Sequence, residues 1–256
     1  MQQNGRTSIS VIIPALNEAS RIGGVLDKVL SEPGVEAIVA DGGSRDETSR
    51  IADARGARVV TSPPGRARQM NAGSGIASGG IFVFLHADTI LPSGYAHFIR
   101  ESLSDPRVAG GAFSFRLDRR SPLLRLTEIG ANLRSHWLSL PFGDQALFVR
   151  ASTFREMGGF PLYPIMEDVE FVRRLRKRGQ VRVLNEPIVT SSRLWQQLGP
   201  FKVMTLHAFA LAAYQFGVSV ERIHGLLRWG GYFKRTGNRG SVEQGSFLKK
   251  GGLSPS

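Results

Sequence analysis

Acidic side chains recur where a strand should give way to a turn: Glu18 beside Asn17, then Asp41, Asp88, Asp144 and the pair Glu167-Asp168. One carboxylate after a strand means little, because Asp and Asn favour turns. Repetition along an α/β sheet means more, because the carboxyl ends of parallel strands converge on one crevice. Such a set offers two kinds of chemistry. A carboxylate can take the proton of a hydroxyl nucleophile, and one or two carboxylates with substrate phosphates can hold Mg2+ or Mn2+. Asp88 is the candidate metal ligand, with His86 as a second or supporting contact. The plainer alternatives are a helix cap for Asp88 and an ordinary turn residue for His86. Glu167-Asp168 opens a helix behind the Gly- and Pro-rich stretch 158–164, which can shape a loop over a pocket, so a general base is expected there. The helix dipole alone would account for one of these two acids. In GRARQMNAGSGIAS at 65–78, Arg66, Arg68, Asn71 and Gly73 are expected on a short helix facing the cleft, where arginine forks suit a diphosphate. A surface loop is the alternative.

Other chemistries lack their residues. There is no GxGxxG, no GxxxxGK[ST], no HExxH and no GxSxG, and the chain has no cysteine. Dinucleotide binding of the Rossmann type, P-loop chemistry, zinc hydrolysis and serine-elbow hydrolysis are all poorly motivated.

The elements that must position these residues alternate between strand and helix. Strands are expected at 8–13 (ended by Pro14), 35–40, 57–61, 81–89, 108–117, 146–149, 181–184 and 187–190. Helices are expected at about 21–31, after Asp46, within 65–78, and at 93–103, 122–136, 153–158 and 167–179. The helix at 122–136 carries Leu123, Leu126, Ile129 and Leu133 at helical spacing. Repeated strand–helix units imply one mostly parallel sheet with helices on both faces. A catalytic domain over 8–192 divides into a first half at about 8–89 and a second at about 90–192. Two further helices follow within 193–230. The apolar run 201–216 contains Lys202 and His207 and is short for a membrane span. It reads as a packing helix or as one lying in a membrane interface. Residues 231–256 read as a flexible basic tail.

The 256 residues carry a net charge of +12, which favours an anionic partner without choosing among nucleic acid, acidic lipid and phosphorylated small molecules. No nucleic-acid motif accompanies the basic run 173–178. The first ten residues show no signal peptide, so a chain in the cytoplasm or on the cytoplasmic face of a membrane is expected.

Together the segments VIIPALNEA (11–19), VADGGSRDET (39–48), GRARQMNAG (65–73), FLHADT (84–89), GDQALFVR (143–150), GGF (158–160) and IMEDVEFVRRLRKRG (165–179) resemble the inverting glycosyltransferases of family 2. Within that family they look closest to small bacterial members associated with radical-SAM and selenium-domain proteins or with arsenosugar biosynthesis. The resemblance implies the A-type nucleotide-diphospho-sugar transferase fold with a C-terminal helical appendage, and Mg2+ or Mn2+ as cofactor. It implies inverting, non-processive transfer from a nucleoside-diphosphate sugar to a hydroxyl acceptor, either a small molecule or lipid-linked. Carried over by position, the donor site would comprise Pro14, Ala15, Glu18, Asp41, Gly43, Arg66, Arg68, Asn71, Ala87 and Asp88. Gly143, Asp144 and Gln145 would form an acceptor or sugar loop. Asp168 would be the base with Glu167 in support, and Arg193 and Trp195 would edge the diphosphate or acceptor. Two departures stand out. His86 occupies the place of the first acid in the D-x-D-like element, and Ser192-Arg193-Leu194-Trp195 only echoes the Q-x-x-R-W of processive members. A nucleotidyltransferase of related fold and a binding module without turnover are the competing readings.

Overall fold

The computed structural model describes residues 7–232. In chain order the elements are β1 (Ile9–Ala15), α1 (Ala19–Val29), β2 (Val35–Asp41), α2 (Thr48–Ala54), β3 (Arg58–Thr61), α3 (Arg66–Ile76), β4 (Ile81–Phe84), β5 (Thr89–Ile90) and α4 (Tyr95–Ser104). After them come β6 (Val108–Leu117), α5 (Pro122–Leu138), β7 (Leu147–Arg150), α6 (Ala151–Glu156), α7 (Glu167–Leu175), β8 (Gln180–Thr190), α8 (Arg193–Leu198), α9 (Pro200–Gln215) and α10 (Val220–Trp229).

The strands form one sheet in the order β3-β2-β1-β4-β7-β6-β8-β5. Its first four strands are parallel, β7 runs antiparallel to both neighbours, and β6 and β8 are again parallel. Alternation along each strand splits the core in two. Val11, Ile13, Val39 and Val83 face α1 and α4, whereas Ile12, Ile38, Phe82 and Phe84 face α3, α6 and α7. Both faces are therefore covered, as expected for this class. Beneath the site, Phe84, Phe154, Phe160 and Phe171 pack ring against ring at 4.5–6.4 Å. Removing any one of these rings should cost about 3–5 kcal/mol.

Several boundaries differ from the sequence reading. Pro14 lies inside β1, paired with Ala40 of β2. Its missing N–H is tolerated because pairing with β4 has already ended at Ile12. The strand at 81–89 is shorter, with β4 stopping at Phe84 and the two-residue β5 pairing with β8. The two segments expected at 181–184 and 187–190 are one strand, β8, whose register against β6 shifts where Phe113 pairs Leu184 and Ser114 pairs Pro187. Gly73 does not face the cleft. A side chain there would meet Ile12 at 2.6 Å, so its small size lets α3 lie close on β1.

The helices after residue 192 belong to the packed body. Trp195 and Val203 join the larger core cluster. Ala210, Ala213, Val220, Ile223 and Leu227 form a further cluster with Met166 and Val169 at the start of α7. Only one side of α9 is buried, and Phe201, Phe209 and Phe216 stay exposed. Leu123, Leu126, Ile129 and Leu133 of α5 are likewise exposed, while Leu124 and Ser135 turn inward. No helix among the described residues is long and apolar enough to cross a membrane. Of the tail expected at 231–256, residues 233–256 lie outside the described residues.

Candidate active site

A cavity of about 320 Å3 opens at the carboxyl ends of β1 and β4. Arg66, His86, Asp88, Asp144, Glu167, Asp168, Arg193 and Trp195 line it, eight residues expected from the sequence. Side chains from α9, α10 and Tyr232 close it on the remaining side, among them His207, Ala210 and Leu227.

The helix start at α7 fixes two of the acids. Met166 takes a left-handed conformation (φ 67°) and turns the chain so that Glu167 points inward. Glu167 is 2% exposed and forms an ion pair with Arg66 Nε at 2.9 Å. Burial raises its carboxyl above the ordinary value, with Arg66 opposing and Asp168 adding to the rise. The Arg66 guanidinium is in turn held charged by Glu167. Its side chain is 46% exposed, so the pair sits at the wall of the cavity with one partner in the protein and one at its edge.

Asp168 accepts hydrogen bonds from the Gly143 N–H (2.7 Å, to Oδ2) and its neighbour's Val169 N–H (2.8 Å, to Oδ1). These set the carboxylate plane and leave further lone pairs toward the cavity. A side chain at Gly143 would place its Cβ 3.1 Å from Asp168 Oδ2, which accounts for glycine at this position. Asp144 lies one residue further on the same 3-10 turn, and burial pushes its carboxyl up to about 6.

On the other side of the cavity, Arg193 Nη2 reaches both Glu18 (3.3 Å) and Asp88 (3.7 Å). Burial raises the Asp88 carboxyl and Glu18 adds to the rise, with Arg193 opposing. His86 is lowered to about 4, first by burial and then by Arg66, so its imidazole is neutral and has a lone pair to offer.

Four buried side-chain polar atoms lack a partner among the described residues, and three belong to this cavity: Asp144 Oδ1, Glu167 Oε2 and Trp195 Nε1. Buried polar groups are normally satisfied, and orphans gathered at one cavity mark where a polar ligand completes them. The lining also holds four carboxylates against two guanidiniums, which suits an added cation. No group of three or more His, Cys, Asp or Glu among the described residues could hold a metal by itself. The donor set therefore fits an ion such as Mg2+ or Mn2+ that takes one or two carboxylates and completes its shell with substrate oxygens and water.

Other expected residues serve the scaffold or lie outside the lining. Asp41 accepts from Ser44 N–H and hydroxyl, while Gly43 (φ 90°) turns the loop between them. Asn71 binds both backbone groups of Phe160, at 2.8 and 2.9 Å. Gln145 is fully buried and ties Ser135, Phe113 and Phe142 together. Arg68 is exposed, Ala87 is buried, and Pro14 and Ala15 form the end of β1. The Ala15 carbonyl accepts from Gln69, which also binds Ala40 and so clasps β1 to β2 beside the cavity.

Sequence reasoning missed the side chains from α9 and α10. His207 packs edge-on against Phe142 and Trp195, and its Nε2 lies 2.9 Å from the Tyr232 hydroxyl. Burial lowers His207 to about 4 and pushes Tyr232 up to about 12. A histidine inside an otherwise apolar helix was the available signal.

The mostly parallel sheet flanked on both faces, with carboxylates and arginines gathered at the strand ends, has the A-type nucleotide-diphospho-sugar transferase fold of the solved structures it matches. Residues 10–163 match Glycosyl transferase family 2, and the chain belongs to that family. Glucosyl-3-phosphoglycerate synthase of Mycobacterium tuberculosis is 40% identical over 102 residues, 34% of this chain and 31% of that protein, so the match spans about a third of the relative's length. Among solved structures, the mannosyltransferase PcManGT of Pyrobaculum calidifontis, in complex with GDP-Man and Mn2+, superposes with TM-score 0.59 at 19% identity, covering 82% of this chain and 65% of that one. The M. tuberculosis synthase in complex with Mn2+, UDP and glucosyl-3-phosphoglycerate gives 0.57 at 23% identity, covering 83% and 81%.

Proposed function

We propose that this chain transfers a sugar from a nucleoside diphosphate to an acceptor hydroxyl, once per encounter and with inversion. The observation that carries this reading is Asp168, held by the Gly143 N–H at the cavity wall beside the unpartnered oxygens of Asp144 and Glu167. Asp168 takes the proton of the acceptor hydroxyl, whose oxygen attacks the anomeric carbon as the bond to the diphosphate breaks. Arg66 and Arg193 face the charge that develops on the leaving group. Glu167 acts as a positioning residue, fixing Arg66 through the 2.9 Å ion pair. Asp88, with His86 beside it, would hold Mg2+ or Mn2+, which would neutralise diphosphate charge when bound. Residues 8–89 supply the donor side, 90–192 the base and sugar loop, and 193–230 the wall against which the acceptor lies.

The acceptor is a small-molecule or lipid-linked hydroxyl compound, and we place the reaction in the cytoplasm, at an anionic membrane surface. Support comes from the apolar outer side of α9 and the net charge of +12. A thermal-shift screen of nucleoside diphosphates and their sugars, with Mg2+ or Mn2+ and with excess chelator, tests the donor and the metal together. Stabilisation that appears only with metal is expected, and equal stabilisation in chelator overturns the metal assignment. Asp168→Asn should keep that stabilisation and lose transfer by roughly 10^2–10^4-fold. Retained turnover would remove Asp168 as base.

A further inference from the structure

Helix α5 presents an apolar side to solvent. Leu126, Ile129, Leu133 and Trp137 follow one another at helical spacing and are 50–81% exposed. Helix α9 lies against α5, with Thr127 Oγ1 donating to Met204 Sδ at 3.3 Å, and its own outer side carries Phe201 and Phe209, with Phe216 exposed just past its end. Soluble chains seldom expose so many large apolar side chains on two adjoining helices without a partner.

The charge around this surface identifies the partner. A second cavity, of about 300 Å3, lies at the start of α5 and gathers Arg116, Arg119, Arg120 and Arg125. Among the described residues none of these four side chains is drawn into an ion pair or hydrogen bond. The one acid there, Glu128, is turned inward onto the Leu117 N–H at 2.8 Å. Residues 187–220, which include all of α9, contain no Asp or Glu. A two-fold dimer through this face would set one basic rim against another. An anionic bilayer instead offers phosphates to the arginines and hydrocarbon to the leucines and phenylalanines, with exposed Trp137 suited to the boundary between them.

We infer that the outer sides of α5 and α9, with the arginine cavity at the start of α5, form a docking surface for an anionic phospholipid bilayer. Helix α9 is then the partition between bilayer and active site, because its opposite side contributes His207 and Ala210 to the catalytic cavity. A lipid-borne acceptor would reach Asp168 past α9 and α10 without crossing bulk water. The inference deepens the membrane-side reading above and rests on it, while leaving the donor chemistry untouched.

The test is co-sedimentation of the full chain with vesicles of phosphatidylglycerol and phosphatidylcholine, against vesicles of phosphatidylcholine alone, with tryptophan emission followed in parallel. Binding to the anionic vesicles at low salt with a blue shift that Trp137→Phe diminishes is expected. Leu126→Gln/Ile129→Gln should weaken binding by about tenfold or more, since each half-exposed apolar side chain contributes roughly fivefold. Arg119→Glu/Arg120→Glu should weaken it comparably and abolish the preference for anionic lipid. Both double variants must keep the thermal shift with nucleoside diphosphate, which reports an intact fold and is independent of vesicle binding. Absence of vesicle binding by the parent chain overturns the inference. So does a concentration-dependent dimer that Leu126→Gln/Ile129→Gln dissociates while vesicle binding stays unchanged.

Discussion

Replacing Arg66 by Met tests whether the cavity wall is organised by charge or by packing. The substitution keeps most of the aliphatic stem and removes the guanidinium that lies 2.9 Å from Glu167. Glu167 is 2% exposed and already has one oxygen without a partner. Breaking a buried pair from one side costs about 3–5 kcal/mol. The Arg66 side chain is 46% exposed, so water screens the pair and the lower end, about 3 kcal/mol, applies. That corresponds to a fall in Tm of roughly 6–12 °C for a chain of this size. The loss must depend on pH. The Glu167 carboxyl is raised in the folded protein, and without Arg66 it rises further. A raised folded value means that ionisation of Glu167 opposes folding. The loss is therefore small below the unfolded value of 4.5 and grows as pH increases toward neutrality. Urea unfolding of the parent, Arg66→Met, Glu167→Gln and the double variant, at acid and neutral pH, gives the coupling directly. The double variant should recover most of the stability lost in Arg66→Met at neutral pH. An equal loss at both pH values, or no recovery on adding Glu167→Gln, would refute the electrostatic account.

The remaining expectations concern the 3-10 turn. Asp144 has a folded value of about 6 against an ordinary 3.8, so its ionisation opposes folding as pH rises through that window. Asp144→Asn should leave stability unchanged below about pH 4 and raise it by up to about 3 kcal/mol above pH 6, read from urea midpoints across pH; parallel pH profiles for the two proteins would contradict this. Gly143→Ala crowds the Asp168 carboxylate from 3.1 Å and should lower kcat by about tenfold or more with little change in the donor KM. An unaltered kcat would show that the carboxylate tolerates displacement.

Much of the sheet and the charged part of the cavity lining were legible in the sequence for physical reasons that can be named. Strands buried on both faces announce themselves as apolar runs, and acids at their ends have few structural duties, so Asp88, Asp144 and Asp168 could be placed from position and residue type. The same logic also picked out Asp41, Asn71 and Gln145, whose side chains hydrogen-bond within the fold and are not among the residues that line the cavity. A polar residue at a strand end or turn looks the same in sequence whether it binds a ligand or a loop. Helical spacing in α5 correctly marked a helix but said nothing about which side faces the protein, and the apolar side proved to be the outer one. The contribution of α9 and Tyr232 was hidden because an apolar helix does not specify what it covers. The bulge in β8 broke one strand into two apparent pieces, since the register shift removes the alternation on which the reading depends.

The closing wall enters the chain late and through a single joint. Gly199, at φ 84°, separates α8 from α9, and among the described residues everything that lines the cavity beyond it lies within the next 33 residues. The residues proposed for the donor side, Arg66, His86 and Asp88, all lie more than a hundred positions earlier. With the wall assigned to the acceptor as proposed above, exchange of this segment between related chains would recombine acceptor preference with a fixed donor preference, provided that the contacts to Met166 and Val169 are kept. On that assignment, the two halves of specificity can be inherited separately.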